Sequence, residues 1–181
     1  MNDIAALFAL YIDIHLYFIK MMMTPIVIYD SLYGNTRKVA EAIALGLGNI
    51  KYALNIKDVS LRNLYQADLL VVGSPVHKRS PSIKTLQLLQ SLGKRTLRSE
   101  VSAFDTKYDR FFAGNATGKI MSKLKRAGGH VLSGPRHFIV SGKEGPLLDD
   151  QLERAIEWGK QLKQLWHWEK VEKHTSMQLQ F

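Results

Sequence analysis

Ser31-Leu32-Tyr33-Gly34-Asn35-Thr36 lies between a short apolar run, Pro25-Ile26-Val27-Ile28-Tyr29, and a stretch whose Val39, Ala40, Ile43, Ala44 and Leu47 share one helical face. A hydroxyl- and glycine-rich loop between a strand and a helix N-terminus is a place where backbone N–H groups converge and the helix dipole favours an anion. Ser31 and Thr36 can each donate a hydroxyl hydrogen bond, and Gly34 lets the backbone approach a phosphate closely. The other reading is an ordinary strand-to-helix turn with Asn35 or Thr36 as N-cap.

Three kinds of phosphate loop can be tested against these letters. A Walker loop ends in Gly-Lys-Ser/Thr, and no lysine stands there. A dinucleotide fingerprint needs Gly-x-Gly-x-x-Gly at the turn. Gly46-Leu47-Gly48 lies instead at the far end of the helix, where it suits a C-terminal stop. A receiver domain would place a phosphorylatable aspartate after the third strand, which here ends in Gly73-Ser74. A monophosphate pocket remains.

The loop resembles the opening of the flavodoxin family, with its Ser/Thr-x-Thr/Tyr-Gly-x-Thr pattern around the phosphate of FMN. Three further segments match in order. Asp68-Leu69-Leu70-Val71-Val72-Gly73-Ser74-Pro75 resembles the third strand and second flavin loop, and Ala103-Phe104-Asp105-Thr106 the fourth strand and third loop. Glu144-Gly145-Pro146 with Leu152-Glu153-Arg154-Ala155 resembles the approach to the closing helix. The resemblance covers 25–166. It implies an α/β fold: a flavodoxin-like, doubly wound, five-stranded parallel sheet of order 2-1-3-4-5, in the short-chain form. Ligands of such sheets sit beyond the carboxyl ends of the strands.

The residues themselves give strands over 25–29, 51–57, 68–73, 99–104 and 136–141, and helices over 36–47, 82–92, 116–127 and 149–166. Strands alternating with helices make a parallel sheet covered on both faces. In the last helix Leu148, Leu152, Ala155, Ile156, Leu162 and Trp166 form a core stripe.

The chain has 181 residues, 46% of them apolar, enough for one domain with a substantial core. It has no cysteine, so disulfides and thiolate metal sites are excluded, and redox chemistry must come from a cofactor. Residues 4–19 are apolar but contain Asp13 and His15, with no positive residue ahead of them, which suits neither a signal peptide nor a stable membrane span. Met21-Met22-Met23 offers alternative starts. The expected organisation is an extension over 1–23, a domain over 24–168 and a tail over 169–181, in a cytoplasmic protein. Membrane association through 1–20 is the runner-up.

The resemblance places the phosphate of FMN in the loop Ser31 to Thr36, with Tyr33 as a hydroxyl donor or a wall beside the ribityl chain. Ser74, Pro75, Val76 and His77 would line one face of the isoalloxazine. Asp105, Thr106 and Tyr108 would line another, with Phe111 and Phe112 nearby. His77 is equally readable as a solvated loop histidine, and Asp105 either accepts from flavin N3–H or caps its own loop. Departures from the family pattern concentrate in these second and third loops.

Charge is uneven. The net charge is +9. Between His77 and Arg136 thirteen Lys and Arg stand against Glu100, Asp105 and Asp109, a local balance of +10 that leaves −1 for the rest. A rim carrying Lys78, Arg79, Lys107 and Arg110 would favour an acidic redox partner or an anionic electron donor. Lys119, Lys123, Lys125 and Arg126 suit a solvated helix face. The favoured function is an FMN-binding redox protein that transfers electrons or reduces a small acceptor such as a quinone. The alternatives are a flavodoxin-fold interaction module without flavin and, from charge alone and with no motif behind it, a nucleic-acid binder.

Overall fold

Every residue of the first strand, β1 (Pro25–Tyr29), is buried. A strand without polar alternation is covered on both faces, and this one lies inside a parallel sheet. The computed structural model describes residues 24–109 and 114–178, with 168–178 as helix backbone only. Phe111, Phe112, Arg110 and the segment 1–23 therefore lie outside the described residues.

After β1 the chain runs through α1 (Asn35–Leu47), β2 (Ala53–Asn55), α2 (Leu61–Gln66) and β3 (Leu69–Pro75). It continues through α3 (Ile83–Ser91), β4 (Glu100–Tyr108), α4 (Thr117–Arg126), β5 (His130–Val131), β6 (Arg136–Val140) and α5 (Gln151–Gln178). All sheet pairings are parallel, in the order β2-β1-β3-β4, with β5 and β6 both on the outer edge of β4. The expected order 2-1-3-4-5 holds, with its fifth position made in two pieces. Glu100 faces His130 and Phe104 faces Arg136. Between the pieces Pro135 offers no N–H to the ladder.

Helices cover both faces. Val27, Tyr29, Leu69, Val71, Phe104 and Phe138 pack against α1 and α5. Ile26, Ile28, Leu70, Val72, Val101 and Ala103 pack against α2, α3 and α4. The α1–α5 crossing is glycine to glycine: a Cβ on Gly46 would sit 2.1 Å from the Ile156 carbonyl oxygen, and one on Gly159 2.3 Å from that of Ile43. Gly46 thus serves close packing, while Gly48 ends α1 with its N–H on the Ala44 and Leu45 carbonyls.

Several elements differ from the sequence expectation. The strand expected over 51–57 is three residues long between two 3₁₀ turns, each opened by an asparagine side chain that accepts a backbone N–H. Helix α2 was not anticipated; its signal is a capping box in which Ser60 and Asn63 each accept the other's backbone N–H. β4 runs on to Tyr108, and α5 runs on to Gln178, past the boundary at 168. In the α5 stripe Ala155, Leu162 and Trp166 are buried, but Leu148 and Leu152 are exposed. Leu148 precedes the helix, and Trp158 takes the inward position.

Candidate functional site

Residues 30–34 carry the chain from the carboxyl end of β1 into α1. Gly34 occupies the N-cap with φ +87°, a left-handed conformation that glycine adopts without penalty. Neither Asn35 nor Thr36 is the cap. Both lie inside the helix, no side chain caps the N-terminus, and the first turn holds no acidic residue. The first helical hydrogen bond runs from Lys38 N–H to the Gly34 carbonyl at 3.0 Å, so the N–H groups ahead of it have no intrahelical acceptor. Beside them Ser31 Oγ is buried and, among the described residues, has no hydrogen-bond partner. A buried unpaired hydroxyl next to an uncapped helix start fits an anion with several acceptor oxygens.

Other side chains of this loop tie it to its neighbours. Thr36 and Thr106 share a buried hydrogen bond of 2.8 Å, which joins α1 to β4. Asn35 is buried and donates from Nδ2 to the Glu144 carbonyl at 2.9 Å, which pins the 142–146 loop against the first turn of α1. Leu32 and Tyr33 project outward, 78% and 42% exposed. Arg37 donates to Glu41 at 2.7 Å, and that hydrogen bond, with the carboxylate's charge, holds its guanidinium above its ordinary value.

The second and third loops meet the same edge of the sheet. Ser74, Asp105 and His137 stand in one row across β3, β4 and β6, and Pro75 faces Thr106 in the next. Ser74 Oγ accepts from Ser82 N–H at 2.9 Å, so this serine orients the start of α3. Ser82 is the N-cap of α3, its Oγ accepting from Thr85 N–H. Val76 is half-buried against the α3–α4 side of the core, and its N–H donates to the Thr106 carbonyl at 2.9 Å. His77 is exposed, and its backbone pairs with Ser80 in both directions. Tyr108 is half-buried at the end of β4.

Asp105 is fully buried, and both of its oxygens have partners. Its Oδ2 accepts from the N–H groups of Ala116 and Thr117 at 2.8 and 3.3 Å, capping α4. Its Oδ1 lies 2.7 Å from His137 Nδ1. Of the two roles open to Asp105, capping is the one made in this structure. His137 was not singled out from sequence. The signal was available in the register, since a residue on the neighbouring strand facing a buried aspartate should be polar.

Two groups of basic residues lie at different ends of the molecule. Lys78 and Arg79 form the tip of the second loop, and Lys119, exposed as a solvated helix face should be, also donates from Nζ to Ser80 Oγ at 3.1 Å. Lys94, Lys123 and Arg126 instead line a cavity of about 310 Å³ between the last turns of α3 and α4, at the opposite pole. No helix among the described residues is long and apolar enough to cross a membrane.

A flavodoxin domain model matches residues 26–176. Comparison with curated proteins finds no match. Among solved structures, a flavodoxin from the domain Archaea is 22% identical with a TM-score of 0.61, over 80% of this chain and 99% of the other. A flavodoxin, WrbA-like protein from Agrobacterium tumefaciens is 18% identical with a TM-score of 0.63, over 78% of this chain and 96% of the other. The rubredoxin oxygen:oxidoreductase of Desulfovibrio gigas is 19% identical with a TM-score of 0.61, over 78% of this chain and 35% of the other.

Proposed function

The chain belongs to the flavodoxin domain family, and from that premise we propose that it binds FMN at the carboxyl ends of β1, β3 and β4 and works as a redox protein. The observation that carries this reading is the uncapped N-terminus of α1 with the unpaired, buried Ser31 hydroxyl beside it. Ser31 and the backbone N–H groups of Leu32, Tyr33, Gly34, Asn35 and Thr36 would hold the phosphate. Thr36 contributes by fixing the loop to Thr106, and Asn35 by fixing it to the 142–146 loop. Ser74, Pro75, Val76 and His77 would border the isoalloxazine on one side, and Thr106 and Tyr108 on the other. Asp105 acts through α4 and His137 rather than on the ring.

When bound, the flavin supplies one- and two-electron chemistry that no side chain of this cysteine-free chain can supply. The protein's share is to bind, orient and exclude water. The reading extends to electron transfer or reduction of a small acceptor such as a quinone, in a cytoplasmic setting. The partner would be acidic or otherwise anionic, because Lys78 and Arg79 stand at the rim of the site. The deciding experiment is to purify the full chain, record its visible spectrum, and titrate stripped protein with FMN. Stoichiometric uptake supports the reading. A chain that takes up no FMN is instead the interaction module without flavin.

A further inference from the structure

The tip of the second loop holds two long cations in a backbone conformation suited to asparagine and glycine. His77 N–H donates to the Ser80 carbonyl at 2.8 Å, and Ser80 N–H donates to that of His77 at 3.0 Å, closing a two-residue hairpin. Its two central residues are Lys78 at φ +47° and Arg79 at φ +62°. Hairpins with positive φ at both central positions strongly favour Asn-Gly, because other side chains crowd the backbone there. Such strain persists only where the surroundings over-determine it, and it gathers at functional sites.

Here the surroundings do over-determine it. Val76 N–H is bonded to the Thr106 carbonyl, so β4 fixes the base of the hairpin. Lys119 Nζ donates to Ser80 Oγ, so α4 fixes its return arm. Gly114, at φ +73°, lies against Arg79: a Cβ there would fall 2.7 Å from Arg79 Cβ and 2.9 Å from its Cα. The third loop therefore supports the tip through the one residue type that fits. Neither Lys78 nor Arg79 makes an ion pair among the described residues, and both are exposed.

A diffuse attraction for an acidic protein surface would need no such rigidity, because mobile cations anywhere on the rim would serve. Two adjacent cations on a fixed turn, one a point charge and one a planar fork, suit a single compact dianion. We propose that the 77–80 hairpin is a phosphate clamp at the mouth of the redox site, and that the small redox partner docking there carries a phosphate or pyrophosphate group. The clamp positions this partner, and no bond is made or broken at it. The proposal rests on the FMN reading above.

The test uses the full chain in saturating FMN and the double variant Lys78→Asn/Arg79→Gly, with inorganic pyrophosphate as probe at fixed low salt. Calorimetry measures affinity, and backbone amide shifts locate the ligand. Wild-type protein should show shifts centred on 77–80 and Gly114. The variant should bind pyrophosphate about tenfold more weakly or worse, since hydrogen bonds to charged groups are lost. It should also melt about 2–4 °C higher, as relieved strain in a chain of this size predicts. Equal affinity in the variant, an unchanged or lower melting temperature, or shifts away from the hairpin would each overturn the clamp. Tighter binding of polyglutamate than of pyrophosphate would also overturn it, in favour of an acidic protein surface. A chain that takes up no FMN fails the preceding reading instead, while the melting comparison still tests the hairpin.

Discussion

Replacing Ser31 with alanine should move protein stability and FMN affinity in opposite directions. Ser31 Oγ is buried and has no hydrogen-bond partner among the described residues. Burying a hydroxyl without a partner costs about 1–3 kcal/mol, so Ser31→Ala should stabilise the flavin-free protein by about 1 kcal/mol. For a chain of this size that is a rise of about 2–4 °C in melting temperature. In the flavin-bound protein the same hydroxyl would donate to a dianionic phosphate, a contact contributing about 1.5–3 kcal/mol. Its loss should raise the Kd for FMN by about one to two orders of magnitude. Flavin fluorescence titration measures the affinity and calorimetric melting measures the stability. Riboflavin, which lacks the phosphate, provides the internal control: its affinity should be the same for Ser31→Ala and wild type. An FMN affinity within about threefold of wild type would place the phosphate elsewhere, because the smallest expected effect is tenfold. A drop in flavin-free stability would show that the hydroxyl already has a partner.

Four further outcomes follow from the geometry. Asp105→Ala removes a fully buried carboxylate from two backbone N–H groups and from His137, and should cost about 3–5 kcal/mol in urea unfolding. His137→Ala, at the half-exposed end of the pair, should cost clearly less, and the reverse ranking would sink this assignment. Gly46→Ala and Gly159→Ala should each destabilise by about 1–3 kcal/mol despite the better helix propensity of alanine. Because both clash in one crossing, the double variant should cost less than the sum, and strict additivity would argue against a shared contact. Raising ionic strength from about 0.1 to 1 M shortens screening from about 10 to 3 Å, so pyrophosphate binding at 77–80 should weaken steeply; indifference to salt would contradict a charge-based clamp. A chain beginning at Met23 should melt at the temperature of the full chain, and a large drop would mean that 1–22 packs on the domain.

The parts of the fold that were legible in sequence are those where local chemistry and tertiary demand agree. Apolar runs at 25–29 and 69–72, set between loop signals and helical patterns, read as strands, and both are buried. Gly48 and Ser82 stand where helices must stop and start. Legibility failed where the deciding partner is distant in sequence. Asn35 looks like a cap, but the helix opens one residue earlier at Gly34, and the Asn35 amide donates instead to the Glu144 carbonyl 109 residues on. Asp105 looks free to meet a ligand until Ala116, Thr117 and His137 take both of its oxygens. The positive φ of Lys78 and Arg79 had no signal at all, because neither residue type favours it.

These distant partners share one consequence for how the site works. Each ties two segments that converge on the same sheet edge: Thr36 to Thr106, Asn35 to the 142–146 loop, Val76 to Thr106, and Asp105 to α4 and β6. A ligand that must order loops loses part of its gross interaction energy in doing so. Here the ordering is already done by buried hydrogen bonds, each contributing about 0.5–1.5 kcal/mol to the fold rather than to the complex. Under the proposed reading the Thr36 side chain would therefore serve FMN by positioning its own backbone N–H, and a variant such as Thr36→Val would strike stability first. Ser31 is the opposite case. Its hydroxyl has no role in the described network, so the energy it can contribute is reserved for whatever anion sits at the start of α1. The division between side chains that hold the loops and the buried Ser31 hydroxyl, which has no partner among the described residues, makes Ser31 the substitution that best tests where the phosphate sits.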